Sequence, residues 1–305
     1  SGFSLDSNGN GIPDECDLSL FAGAVLITDQ VDDPTSIRTV DVDADGDLDL
    51  VTASRGDNKI AWYRNLGSGA FGSQQVMSNS AVQPLELETV DVDQDGNLDV
   101  VSASSGDNKV AWYENLTGSF ASEQVISSSV PGAAALTSGD LNGNTRQDIV
   151  VASPPTNTIS WFPNQGGGSF ASSRQITTSV NSPRSVDAGD FDGDGDADLV
   201  VASFIDNRVS WFENLPGNSW GSRVTLSTSA GGAQYARTAD LDGDNDLDIL
   251  VALGSDDEVV WFQNLGAGNF GPQTSIGLNV MGANAAEAAD LDGDGDLDVV
   301  ATAPL

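Results

Sequence analysis

The chain has 305 residues, with 46 Asp plus Glu against 11 Lys plus Arg, a formal net charge of −35 and no histidine. This acidity excludes ordinary nucleic-acid binding, which needs a cationic footprint on the phosphates, and the missing imidazole excludes Ser-His-Asp and Cys-His dyads and His-ligated zinc or haem. Apolar residues are 39% of the chain and include six Trp and eleven Phe, enough for a folded core rather than a disordered polyanion.

Residues 1–20 read as a separate segment. In DSNGNGIPDECD, Asp6, Asn8, Asn10, the Ile12 carbonyl, Asp14 and Asp17 fall at positions 1, 3, 5, 7, 9 and 12 of an EF-hand-type loop with Gly11 at position 6, so a metal site is expected there. Cys16 is the sole cysteine and is expected to be free or intermolecular. No basic stretch followed by an apolar one marks a signal peptide, and no apolar run approaches the roughly 18 residues of a membrane span, so no membrane insertion is expected.

Residues 21–305 are organised by repetition. Asp-rich stretches begin at Asp41, Asp91, Asp140, Asp190, Asp240 and Asp290, about 50 residues apart, and six copies at that period mean a repeat architecture. In the first unit, Ser36 to Val40 predicts a strand running into the Asp-rich loop, and the apolar stretch Leu48 to Ala53 a second, buried on both faces. Gly56, Asp57 and Asn58 predict a hairpin turn into a third strand, Lys59 to Arg64. After a Gly-rich turn, Phe71 to Met77 predicts a fourth. The third strand carries Trp62, repeated at Trp112, Trp161, Trp211 and Trp261, with Asn65, Asn115, Asn164, Asn214 and Asn264 three positions on. Four short strands per unit fit a β-propeller of about six visible four-stranded blades packed through these aromatics, with seven possible if the chain is a fragment. Phe21 to Ile27 matches a fourth strand and the chain stops after the second strand of unit six, so the last blade is expected to be incomplete.

The six loops carry the chemistry. Oxygen side chains recur at Asp41, Asp43, Asp45, Asp47 and Asp49; at Asp91, Asp93, Asp95, Asn97 and Asp99; and at Asp140, Asn142, Asn144 and Asp148, with Arg146 at position 7. They continue at Asp190, Asp192, Asp194, Asp196 and Asp198; at Asp240, Asp242, Asp244, Asp246 and Asp248; and at Asp290, Asp292, Asp294, Asp296 and Asp298. Calcium takes six to eight hard oxygens, and a loop bent at position 6 gathers side chains and the position-7 carbonyl around one ion. Gly usually stands at that bend, where a left-handed backbone is needed. Carboxylates this dense repel one another, and no basic residue stands near in the sequence, so calcium, about five to seven ions, is the expected neutraliser. The third loop, with Asn142, Asn144, Thr145 and Arg146, should bind weakest or not at all, whereas Asn245 at the bend of the fifth tolerates left-handed geometry. The loops hold 26 of the 46 acids, and seven Ca²⁺ would leave a net charge of about −21.

The loops followed by apolar strands, together with Trp-Phe-x-Asn-Leu, Gly-x-Phe-Gly and Ala-Pro at 303–304, resemble FG-GAP or VCBS-type repeats, the family that includes the integrin α-subunit propeller, over residues 21–305. The N-terminal segment resembles the thrombospondin type 3 or dockerin-like calcium loops of secreted proteins. The resemblance implies a propeller, seven-bladed in integrins, calcium between the innermost and second strands, and a secreted or cell-surface setting.

Other motifs favour plain explanations. Arg55-Gly56-Asp57 matches Ser105-Gly106-Asp107 of the next unit and reads as a hairpin turn, Asn115-Leu116-Thr117 coincides with the repeated Asn, and the fixed register of the Trp residues marks them as core. Glu86, Glu88, Asp187 and Glu287 fall on first strands where Arg38 and Arg237 stand in other units, which reads as a solvated channel rather than a paired-carboxylate active site. The expected function is a non-enzymatic, extracellular calcium-binding adhesion or structural module, whose partners are a protein or glycan surface or copies of itself. The alternatives are a subunit of an extracellular fibre or surface layer completed by strand exchange and a recognition domain of a larger secreted hydrolase.

Overall fold

The computed structural model describes residues 26–303, so the N-terminal loop with Asp6, Asn8, Asn10, Ile12, Asp14 and Asp17, Cys16 and most of Phe21 to Ile27 lie outside the described residues. Leu26 and Ile27 are described and are not in a strand. The described chain is all-β without a helix, and no helix is long and apolar enough to cross a membrane.

In the first blade β1 (Pro34–Val40), β2 (Asp49–Ser54), β3 (Lys59–Tyr63) and β4 (Gln75–Ser78) form an antiparallel meander in that order. β2 reads Asp-Leu-Val-Thr-Ala-Ser and is covered on both faces, as its apolar run predicts, with Val51 and Ala53 fully buried. The hairpin between β2 and β3 turns at Asn58, whose φ of 58° is the left-handed geometry that asparagine tolerates. Blades 2 to 5 repeat the four-stranded order. Blade 6 has two strands, Ala285–Ala289 and Asp298–Thr302, among the described residues, the incomplete last blade that the sequence predicts.

The fourth strand departs from expectation. It begins at Gln75, and Phe71 instead makes an isolated bridge back to Asn65. The Gly72 N–H donates to the Arg64 carbonyl at 2.8 Å, closing a small side hairpin before the chain returns to the blade. Phe120 and Phe270 do the same with Asn115 and Asn264, while Phe170 and Trp220 close short two-stranded ribbons.

The first strands of successive blades pack on one another around a central axis, and apolar faces meet between neighbouring blades, which makes the arrangement a propeller. Between blades 1 and 2 the core joins Val51, Ile60, Trp62, Leu87, Val100 and Tyr113. All five repeat Trp residues are at most 7% exposed, so they are core as expected. Neighbouring blades are also stapled at the hairpin end. The Asn58 carboxamide oxygen accepts the Gln83 N–H of blade 2 at 2.8 Å, and Asn108, Asn157, Asn207 and Asp257 repeat the bond to their next blades.

No comparable packing joins the first strand of blade 6 back to β1 among the described residues. Val300 is accordingly 44% exposed, whereas Leu250 and Val200, at the same position in blades 5 and 4, are fully buried.

The axis is not a simple water channel. Arg38 and Arg237, with Glu88, Asp187 and Glu287, occupy one register position three residues before their loops and line a cavity of about 440 Å³. Arg237 pairs with Glu287 at 3.2 Å, with Asp187 at 3.4 Å and across the axis with Glu86 at 4.0 Å, while Arg38 binds Glu86 at 2.6 Å. Burial pushes Glu88 up to about 7 and raises Glu86, each opposed by the two arginines. The expected solvated channel is thus corrected to a half-buried ion-pair network that ties blades 1, 2, 4, 5 and 6 together.

Candidate metal centres

Each Asp-rich loop joins a first to a second strand, so all six lie at one end of the blades. Position 1 shapes the loop: Asp41 accepts the N–H groups of Asp45 at 3.2 Å and Gly46 at 3.0 Å, and the other loops repeat the bond from position 6. Position 6 is left-handed throughout, with φ of 90° at Gly46 and 66° at Thr145. Position 4 is left-handed too, from Ala44 at 59° to Gly293 at 81°, a second bend that the sequence reading missed although Gly stands there in four loops.

Position 9 anchors the loop to the blade. Asp99 is fully buried, and its two oxygens accept the Val92 N–H at 3.0 Å and the Asn115 N–H at 2.8 Å. Asp49, Asp148, Asp198 and Asp248 make the same pair of bonds. Burial, only partly offset by these bonds, pushes Asp99 and Asp198 up to about 7 and Asp148 and Asp248 up to about 6. These groups are held where ionisation is costly unless a cation is near.

Asp and Asp alone meet in five clusters whose ligand oxygens all lie within 4.8 Å of one another: Asp41, Asp43 and Asp45; Asp91, Asp93 and Asp99; Asp190, Asp192 and Asp194; Asp240, Asp242 and Asp248; and Asp290, Asp292 and Asp294. Position 3 belongs to every cluster, and Asp43 leaves one buried oxygen without a hydrogen-bond partner. The remaining predicted positions, Asp47, Asp49, Asp95, Asn97, Asp196, Asp198, Asp244, Asp246, Asp296 and Asp298, stand outside these clusters. Asp45, Asp95, Asp244 and Asp296 serve within the loops, Asp45, Asp95 and Asp244 as acceptors of the position-7 N–H and Asp296 through its own N–H to Asp294. The all-oxygen donor set and its crowding of negative charge fit a hard divalent ion, so all five clusters could hold a metal.

One feature corrects the sequence reading. A basic residue does reach one loop: Arg64, from the end of the third strand, contacts Asp43 at 2.6 Å and Asp45 at 2.9 Å, and its hydrogen bond holds the Asp45 carboxyl below the usual range. The first cluster therefore carries part of its own counter-charge, whereas the equivalent residues of blades 2, 4 and 5 are Glu114, Glu213 and Gln263. The third loop, which holds only two acids, forms no such cluster. There the Asn142 amide donates to Asp148 at 2.7 Å and the Asn144 amide to the Asn164 carbonyl at 3.2 Å, so the loop is closed by hydrogen bonds where the others crowd carboxylates.

The repeated Asn is a structural joint. Asn264 is fully buried, its amide donating to Leu247 at 3.2 Å and to the Phe191 carbonyl in the Asp-rich loop of blade 4 at 2.8 Å. Asn164 and Asn214 bond to Val92 and Leu141 of their preceding loops in the same way. Asn115 is 1% exposed, which accounts for its sequon by packing. In Arg55-Gly56-Asp57 the arginine is ion-paired to Asp33 at 2.6 Å and the aspartate to Lys59 at 2.8 Å, a braced hairpin.

Comparison with known proteins supports the same architecture. No curated protein matches the sequence. Among solved structures, an Agrocybe aegerita lectin that recognises non-reducing terminal N-acetylglucosamine superposes with a TM-score of 0.59 at 20% identity, covering 82% of this chain and 67% of the lectin. Virginiamycin B lyase from Staphylococcus aureus gives 0.58 at 14% identity, covering 86% of this chain and 76% of the lyase. At these identities the likeness shows the fold alone. The FG-GAP-like repeat matches five times in sequence, at residues 41–102, 91–151, 140–201, 191–251 and 240–301. Spanning the six Asp-rich loops and the blades between them, these matches show that the chain belongs to the FG-GAP-like repeat family.

Proposed function

We propose that this chain is a calcium-loaded, non-enzymatic propeller that acts at an extracellular surface, presenting a rigid face to a protein or glycan partner. The observation that carries the reading is the recurrence of one acidic cluster at the same end of five blades. Calcium would be held by the position 1, 3, 5 and 9 oxygens of those loops, and it would supply charge neutralisation where the blade buries carboxylates. Five such ions would leave a net charge of about −25. The lectin neighbour supports a glycan as partner, and the paired state of the axial carboxylates supports a scaffold rather than a catalytic site. The N-terminal loop, Asp6 to Asp17, is proposed as a further site of the same kind.

Melting in millimolar calcium and after its removal by chelation tests the reading, because an ion that binds only the folded chain stabilises it. A higher Tm in calcium is expected, and equal melting in both conditions refutes it.

A second reading, association between copies of the chain, is favoured by one observation: the outer edge of Asp298–Thr302 is unpaired among the described residues, and Val299 and Val300 beside it are exposed. Electron microscopy of native material separates the two, since fibres support association and monodisperse particles oppose it.

A further inference from the structure

The third blade lacks an acidic cluster and carries an unusual basic cavity in its place. Eight of the eleven Lys and Arg side chains are ion-paired to a carboxylate, as expected where acids outnumber bases fourfold. Among the described residues, Arg146, Arg174 and Arg184 have no such partner. Two of these three, Arg146 and Arg174, line one cavity of about 370 Å³ beside the third Asp-rich loop. Arg184 rests elsewhere, on the Phe204 ring.

The cavity is built to keep those charges in place. The Arg146 guanidinium lies flat against Gly166, where a Cβ would come within 3.0 Å of Nε, and that buried Nε has no hydrogen-bond partner. Arg174 stacks 5.0 Å above the ring of Trp161, its cross-strand partner, and the other blades place Gln75, Gln124, Val224 and Thr274 opposite their Trp. Trp161 is 1% exposed, and its indole N–H, directed toward Asp148, lacks an aligned acceptor. At the rim the amides of Gln165 and Asn218 make no side-chain hydrogen bond among the described residues. Asn142 and Asn144 stand where the other loops carry Asp, so two carboxylates are missing here, and the Asn142 amide is spent on Asp148 and the Asn144 amide on the Asn164 carbonyl.

We propose that this cavity binds an acidic sugar, with the carboxylate of a uronate-type unit taken by Arg146 and Arg174 and its hydroxyls by Gln165 and Asn218. Guanidinium groups match a planar carboxylate through paired hydrogen bonds, strengthened by charge. The volume falls in the range of small-ligand sites and accommodates one sugar unit. The inference rests on the reading of the chain as a recognition module and names its ligand class. It is independent of the calcium clusters, because the third loop holds its shape by its own hydrogen bonds.

The test is calorimetric titration of the full chain, in saturating calcium and at fixed ionic strength, with methyl glucuronide, methyl glucoside and sodium acetate. Saturable binding of the glucuronide is expected, at least tenfold tighter than that of the glucoside or acetate. Arg146→Gln and Arg174→Gln should each weaken it tenfold or more while the chain still melts cooperatively in calcium, with a small fall in Tm for Arg174→Gln from the lost Trp161 stack, and Arg184→Gln should leave binding unchanged. Equal binding of the glucoside or of acetate overturns the assignment, as does the absence of glucuronide binding. Glucuronide binding that survives both variants runs through bridging calcium and equally overturns it. None of these results bears on the calcium-dependent melting that tests the propeller reading.

Discussion

The buried position-9 aspartates make the benefit of calcium depend on pH in a definite direction. In the metal-free protein Asp99 and Asp198 titrate at about 7 and Asp148 and Asp248 at about 6, raised from the ordinary 3.8, with burial as the leading cause. A carboxyl whose folded pKa is raised binds protons more tightly in the folded than in the unfolded chain. Metal-free stability must therefore rise as the pH falls through 7 toward 4. Between pH 8 and pH 5.5 the gain is roughly 2 kcal/mol for each of Asp99 and Asp198 and roughly 1 for each of the other two, about 6 kcal/mol together. With calcium bound Asp99, Asp198 and Asp248 stay ionised and their share, about 5 kcal/mol, disappears, whereas Asp148, in the loop without an acidic cluster, titrates in both forms and cancels. The stabilising increment of calcium should accordingly shrink by several kcal/mol between pH 8 and pH 5.5. Urea unfolding of metal-free and calcium-saturated protein at the two pH values measures it, and Glu88, which titrates in both forms, cancels in the difference. An increment that is unchanged or larger at pH 5.5 refutes the reasoning.

Two substitutions probe the frame on which these sites stand. Thr145→Gly removes a β-branched residue from a left-handed backbone, and it should stabilise the chain by roughly 1 kcal/mol without changing the number of calcium ions bound; destabilisation in urea would contradict the loop geometry. Arg237→Met leaves Asp187, Glu287 and Glu86 around the axis without their shared partner, and a loss of about 3–5 kcal/mol is expected, so a change under about 1 kcal/mol would show that the network is not a structural tie.

Much of this architecture is legible in the sequence because its causes are local. The Asp period, the fixed Trp and Asn and the Gly-Asp-Asn turn each act within one 50-residue unit, so repetition amplifies them. The fourth strand was misplaced because Phe71 looks like the start of a strand while its partner, Asn65, is only six residues away. Alternation cannot tell a small side hairpin from a long strand. The axial network lay out of reach for another reason. Arg237 meets Glu86, Asp187 and Glu287 from three other blades, and only the closing of the blades about an axis brings them together. The contact of Arg64 with the first cluster spans about 20 residues and depends on the twist of the second and third strands, so a search of the immediate sequence missed it. The degenerate third loop reads as a weak metal site, but Arg174, 28 residues beyond Arg146, gives no sign in the sequence that the two share a cavity.

The buried asparagines also change how the loops should be thought of as a set. Asn264 holds the carbonyl of Phe191, the second residue of the blade 4 loop, while its own backbone N–H is held by Asp248 of the blade 5 loop. One residue thus grips two successive loops, and Asn214 and Asn164 do so one and two blades earlier. Any ions bound in such loops would not be independent: ordering one loop lowers the entropy cost of ordering the next, so the nearest-neighbour coupling typical of repeat chains would become a coupling between ions. The third loop, tied by Asn164 and Asn214 to the loops on either side, would relay that order between blades 2 and 4.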